Sequence, residues 1–293
     1  MIALVFIVQT LRIAVPYLFA AAGGVISERA GLIALTLEGY MLTGAFCAAL
    51  GSYYSGSAWI GVLAGVAGGV AMAMIYGMAA VRFRADQVVV GIAINLMAIG
   101  ATRFFLRLAF DSAANSPRVA GFGGHQSGTG IAALVTNPLV WLAALSIAFV
   151  AWLLYRTAFG LRLRAVGEHP AAALSVGIRV HHIQYVAAAL SGALAGLGGV
   201  YLALDQHKFG AEMTNSRGFI ALAAVIFGRW EPFRAAIACL FFAAAETLQI
   251  QLQGRELIPS QFIEMIPYLL TIVALAGVVG RVRPPAALGK VAE

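Results

Sequence analysis

The sequence predicts an all-α fold, a polytopic bundle of transmembrane helices built as one domain over residues 1–293, and three observations carry that prediction. Hydrophobic residues make up 61% of the chain and charged ones 11%, whereas a soluble domain has about a quarter of its residues charged. Apolar windows long enough to cross a hydrocarbon core of about 30 Å recur along the whole length. The 19 Lys and Arg stand mostly between those windows. The resulting formal charge of +7 reads as topology and not as nucleic-acid binding, because no basic run with interleaved aromatics occurs.

The windows fall near 2–26, 32–50, 58–81, 88–110, 138–155, 183–204, 217–228, 235–252 and 266–280, which predicts about nine spans. The first lacks the Lys/Arg that opens a signal peptide and is interrupted by Arg12, so it reads as a retained span. The small residues Ala20 to Ala22 leave a cleaved leader as the alternative. Window 217–228 is short for a full crossing and is expected to be tilted, broken or re-entrant. Gly61 and Gly65 in the third window, and Gly192 and Gly196 in the sixth, have the spacing that lets helix backbones approach closely. Cys47 and Cys239 sit in apolar runs without metal-ligand spacing and read as small buried residues.

With nine crossings, Arg29, Arg82, Arg84, the interval 156–182, Arg229, Arg234, Arg281, Arg283 and Lys290 share one side. The bias of Lys and Arg towards the cytoplasm then puts the N-terminus outside and the C-terminus inside. The longest connection, Asp111 to Asn137, falls on the outer side.

The interval 156–182 is the most hydrophilic of its length, with Arg156, Arg162, Arg164 and Arg179 against the single acid Glu168. Each such charge costs about 2.5–3.5 kcal/mol at the centre of a span, so the interval belongs in water. Pro170 suits a first helical turn, Ala171, Ala172 and Ala173 propagate it, and Gly177 ends it. A short helix held outside the membrane between two spans is a docking element; the alternative is a solvated loop whose arginines only fix topology.

Polar side chains inside spans are candidates for a solute path, because hydrocarbon offers them no partner. Glu38 in the second window, Asn95 in the fourth, and Glu246, Thr247 and Gln249 in the eighth are the candidates. The alternative is that they pair with Arg12, Arg103 or one another as interhelical glue, worth about 1–2 kcal/mol each. Catalysis has no support: no GxSxG, HExxH or metal-ligand spacing is present, and no P-loop lets the chain hydrolyse nucleotide. His125 and His207 lie in outer segments, and His181 and His182 are adjacent. If transport is active, its energy comes from elsewhere than a nucleotide site on this chain.

The stretch Gly160-Leu-Arg-Leu-Arg-Ala-Val-Gly-Glu168, continued by Pro170-Ala-Ala-Ala and Gly177-Ile, resembles the cytoplasmic coupling segment of bacterial ABC importer permeases. The branch it resembles serves branched-chain amino acids, simple sugars and nucleosides. Ser27-Glu-Arg-Ala-Gly31 with Leu37-Glu-Gly39, Gly91-Ile-Ala-Ile-Asn-Leu96 with Thr102-Arg-Phe104, Ser191 to Gly196, Arg217 to Trp230, and Pro267-Tyr268 look most like the nucleoside permeases. That likeness implies a multi-pass subunit of the bacterial plasma membrane paired with a second permease subunit, identical or different. It also implies a cytoplasmic ABC ATPase and an extracytoplasmic solute-binding protein. No cofactor is then bound by this chain, and ATP is used by the partner. On the same likeness the helix carrying Glu168, Ala171, Ala172 and Gly177 contacts the ATPase, while Glu38, Asn95, Glu246 and Gln249 remain the solute-path candidates that their polar character within spans suggests. Where such permeases often carry Asn and Gly this chain has Ala34 and Thr36, and where they carry Gly it has Ser216, all close to the presumed path. An ion-coupled secondary transporter is the alternative from another class, but no matching pair of broken spans in two halves supports it.

Overall fold

The computed structural model describes residues 2–112, 114–122, 131–253 and 283–290. In order, the helices are α1 (Ile2–Arg29), α2 (Leu37–Ser55), α3 (Ala58–Gly77), α4 (Gln87–Phe110), α5 (Ile131–Thr136) and α6 (Pro138–Arg156). They continue as α7 (Ala158–Glu168), α8 (Pro170–Ser175), α9 (Val180–Asp205), α10 (Arg217–Phe227) and α11 (Pro232–Gln253). Local sequence sets several of these boundaries. Asp86 accepts hydrogen bonds from the N–H groups of Val88 and Val89 at 2.9 and 3.0 Å and so starts α4. Asn137 caps Leu139 at 3.1 Å, with Pro138 in the first turn of α6.

The centre of the bundle is α2 and α9, each packed on the other and on α3. Small residues make this packing possible. A Cβ placed on Gly44 would lie 2.6 Å from the Cα of Gly196, and one on Gly196 would lie 3.3 Å from the Cα of Gly69. The three backbones therefore meet at one crossing that any side chain would prise apart. Helix α1 covers the other side of α9 and carries α10 and α11 on its flank. Leu63, Leu96, Phe104, Leu108 and Leu145, on α3, α4 and α6, point outward as an apolar surface suited to lipid.

Loop contacts sort the chain into two ends. At one, Ile33 N–H donates to Gln87 at 2.8 Å, Arg29 Nε donates to the Trp230 carbonyl at 2.9 Å, and Ala287 N–H donates to the Gly167 carbonyl at 2.9 Å. The arginine-bearing intervals and the tail residues 283–290 thus gather there. At the other end Ser52 donates to the Ala120 carbonyl at 2.6 Å, and Val119 N–H donates to the His207 carbonyl at 2.9 Å.

Among the described residues, seven helices are long and apolar enough to cross a membrane: α1, α2, α3, α4, α6, α9 and α11, several lengthened by adjoining turns. The expectation of nine spans is revised at one window and lies outside the described residues at another, 266–280. Window 217–228 holds only α10, 11 residues long, which at 1.5 Å per residue reaches about 16 Å, half the hydrocarbon core. The chain leaves Asp205 at the end where Val119 meets His207, runs through the irregular stretch 206–216 and α10, and reaches Trp230 beside Arg29. Such backbone is tolerated at membrane depth where protein or a cavity surrounds it.

Candidate functional site

The first turn of α10 leaves backbone N–H groups without helical acceptors, and a carboxylate is the strongest neutral-pH acceptor for them. Glu38 supplies it. Its Oε1 accepts the N–H of Ser216 at 3.1 Å and its Oε2 that of Gly218 at 2.7 Å, with the residue 8% exposed. Glu38 also lies in the first turn of α2, so two helix N-termini converge on one negative charge. A Cβ at Gly218 would fall 2.6 Å from the Glu38 Cα, so glycine is required for this approach. Asn95 braces the same turn from α4: its Oδ1 accepts Gly39 N–H at 2.9 Å and its Nδ2 donates to the Leu35 carbonyl at 2.9 Å.

The backbone entering α10 is strained. Asn215 and Ser216 have φ of 41° and 64°, a left-handed region that costs an L-residue about 1–2 kcal/mol. Both side chains are exposed. Ser216→Gly should therefore raise the thermal stability of the detergent-solubilised protein, by about 1 kcal/mol, and keep uptake. Differential scanning fluorimetry reads this, and Ser216→Val should shift it the opposite way.

Next to this turn lies a chain of charges. Arg217 pairs with Glu246 of α11 at 2.8 Å and donates to the Met213 carbonyl at 3.0 Å, while Tyr17 of α1 donates to the other Glu246 oxygen. Towards the end where Val119 meets His207, Arg12 pairs with Asp205 at 2.9 Å. Gln249 is half-buried on α11 beyond Glu246. No cluster of three or more His, Cys, Asp or Glu able to hold a metal occurs among the described residues.

At the arginine-rich end, α7 and α8 form two short helices outside the spans. Thr157 caps α7 by accepting Gly160 N–H at 3.1 Å, and α7 buries Gly160, Leu163, Val166 and Gly167 on one face. Gly167 rests directly on the Arg29 carbonyl at the end of α1. In α8, Ala173 is buried, while Ala171, Ala172, Leu174 and Val176 are exposed. Gly177, at φ 81°, donates to the Leu174 carbonyl at 2.9 Å, and Ile178 N–H donates to the Ala173 carbonyl at 3.0 Å, which ends the helix. Glu168 closes α7, and its carboxylate accepts Ala286 N–H of the tail at 3.3 Å. Residues 28 and 29 also grip the turn after α10: the Trp230 indole donates to the buried Glu28 carboxylate, and Arg29 donates to the Trp230 carbonyl. Helix α7, the end of α1 and the end of α10 are thus one connected body.

The family model described as "Branched-chain amino acid transport system / permease component" matches residues 6–275. The chain belongs to this permease family. It is 38% identical to the guanosine ABC transporter permease protein NupQ of Bacillus subtilis, covering 97% of this chain and 95% of that one. It is 34% identical to the nucleoside ABC transporter permease protein NupC of Lactococcus lactis, covering 97% of each. A putative glucose ABC transporter permease protein of Haloferax volcanii is 30% identical, over 91% of this chain and 89% of that one. No solved structure matches the chain.

In this permease, three of the four path candidates meet around the start of α10: Glu38 and Asn95 flank the α2 turn, and Glu246 reaches it through Arg217. Gln249 stands apart from that cluster. Of the coupling candidates, Ala171, Ala172 and Gly177 face outward together, and Glu168 turns to the tail. Sequence reasoning did not reach Arg217, Asp205, Tyr17, Glu28 or Trp230. Glu28 and Trp230 lie in two of the stretches that carry the resemblance, which was the available signal; their contact in space was not.

Proposed function

We propose that this chain is one permease subunit of an ATP-driven importer for nucleosides, supported above all by its near full-length similarity to two nucleoside permeases. It works with a second permease subunit, a cytoplasmic ABC ATPase and an extracytoplasmic solute-binding protein, in a bacterial plasma membrane. The arginine-rich end faces the cytoplasm, following the Lys/Arg bias, so the tail lies inside and the N-terminus outside. The exposed α8 face docks on the ATPase. Beside it a cavity of about 410 Å³ lined by Arg162, Val176, Gly177, Arg179 and His182 offers room for a partner's side chains. ATP is used by that partner, and this chain binds no cofactor. The path passes the start of α10, where exposed polar backbone at half depth favours a water-filled route over lipid.

The glucose permease relative supports a simple sugar as the second reading for the solute. An ion-coupled carrier would be purified alone, so copurification of an ABC ATPase in mild detergent supports the importer and its absence counts against it.

Orientation has its own test. In a background lacking Cys47 and Cys239, an impermeant thiol reagent on intact cells is expected to label Arg118→Cys and to spare Arg162→Cys. The reverse pattern inverts the topology.

A further inference from the structure

A cleft of about 230 Å³ opens between α1, α9, α10 and α11; its polar lining is Gln9, Arg12, Tyr201, Asp205, Gln206 and Arg217, and apolar residues of α1, α9 and α11 complete the wall. It runs from the outer-loop end, where α9 finishes at Asp205, to the half-depth start of α10. Its charges are paired: Arg12 with Asp205 at 2.9 Å within the lining, and Arg217 with Glu246, which stands behind the wall, at 2.8 Å. An ion entering would have to break a pair in low dielectric, which is costly. An uncharged molecule with several hydroxyls needs no such exchange, since each hydroxyl both donates to a carboxylate lone pair and accepts from a guanidinium. One donor is already waiting for such an acceptor. Arg217 Nε is buried and has no hydrogen-bond partner among the described residues, while Nη1 donates to the Met213 carbonyl and Nη2 to Glu246. A buried donor left unpaired is costly, so it favours a ligand that supplies an oxygen.

We infer that this cleft is a solute subsite of the permease that holds the hydroxyl-bearing ring of an uncharged solute, with Arg217 and the Arg12–Asp205 pair as its specificity-determining groups. The inference rests on the nucleoside reading, in which that ring is the ribose. It makes the permease a second point of selection after the binding protein.

The test uses the full complex in proteoliposomes with its binding protein saturated. ATP-driven uptake of labelled guanosine is compared with that of 2′,3′-dideoxyguanosine, which lacks both ring hydroxyls. Arg217→Lys keeps the charge for Glu246 and removes the planar donors. The guanosine preference of the wild type should fall about tenfold in this variant, because sites built to bond a hydroxyl discriminate strongly against its absence. Arg12→Lys repeats the test on the second pair, and serves alone if Arg217→Lys does not assemble. The binding protein is unchanged throughout, so a shift in the ratio belongs to the permease. An unchanged ratio, or equal loss for both solutes, makes the pairs interhelical glue and overturns the subsite. Failure of the nucleoside reading looks different: the wild-type complex takes up neither compound.

Discussion

Ala172→Trp is expected to abolish uptake and release the ATPase while the chain still inserts in the membrane. ATP binding moves the spans only if closure of the ATPase is transmitted through a rigid contact with two states. Ala171 and Ala172 present the smallest side chains of α8 outward, so a groove seated on them meets backbone closely. Overfilling a packed contact costs about 1–3 kcal/mol, which lowers a docking constant by about one to two orders of magnitude. The site lies outside the spans and α8 itself is fixed by the buried Ala173 and the Gly177 turn, so folding is spared. Membrane fractionation reads insertion, copurification reads docking, and labelled-solute uptake reads function. Wild-type docking and uptake in this variant would reduce the segment to a topological loop.

Glu38→Gln is expected to cut uptake at least about tenfold while the complex still assembles. The carboxylate satisfies two N–H groups with two different oxygens, Ser216 on Oε1 and Gly218 on Oε2. An amide has one oxygen, so one N–H loses its acceptor and faces an NH₂ group. The cost is about 1–3 kcal/mol for the unsatisfied donor, with a further 0.3–1 kcal/mol for the charge lost at a helix N-terminus. That loss is too small to unfold a bundle packed through α2, α3 and α9, but it falls on the turn that starts the half-depth helix. Normal transport in Glu38→Gln would make the acid a replaceable cap with no part in the path.

The short helix α8 was legible because Pro170, three alanines and Gly177 each carry a local signal that needs no tertiary partner. The helix before it was not. Its inner face is built largely from Gly160 and Gly167, which add no hydrophobic periodicity, and Leu-Arg-Leu-Arg reads as alternation. Likewise the shortness of window 217–228 marked a broken span, but only the fold shows that α10 hangs from Glu38, 180 positions away from Gly218. The charged residues were visible and their pairing was not: the two ends of the Arg12–Asp205 pair are 193 positions apart. In each case the energy lies in which helices touch, and hydropathy does not encode that.

The most direct measurement of the central claim is accumulation of labelled guanosine by proteoliposomes holding this permease, its partner subunit and its ATPase, supplied with the binding protein. The account predicts accumulation against a gradient that requires ATP hydrolysis, persists when proton and sodium gradients are collapsed, and stops when the ATPase is omitted. Accumulation that follows an imposed ion gradient and continues without the ATPase would contradict it.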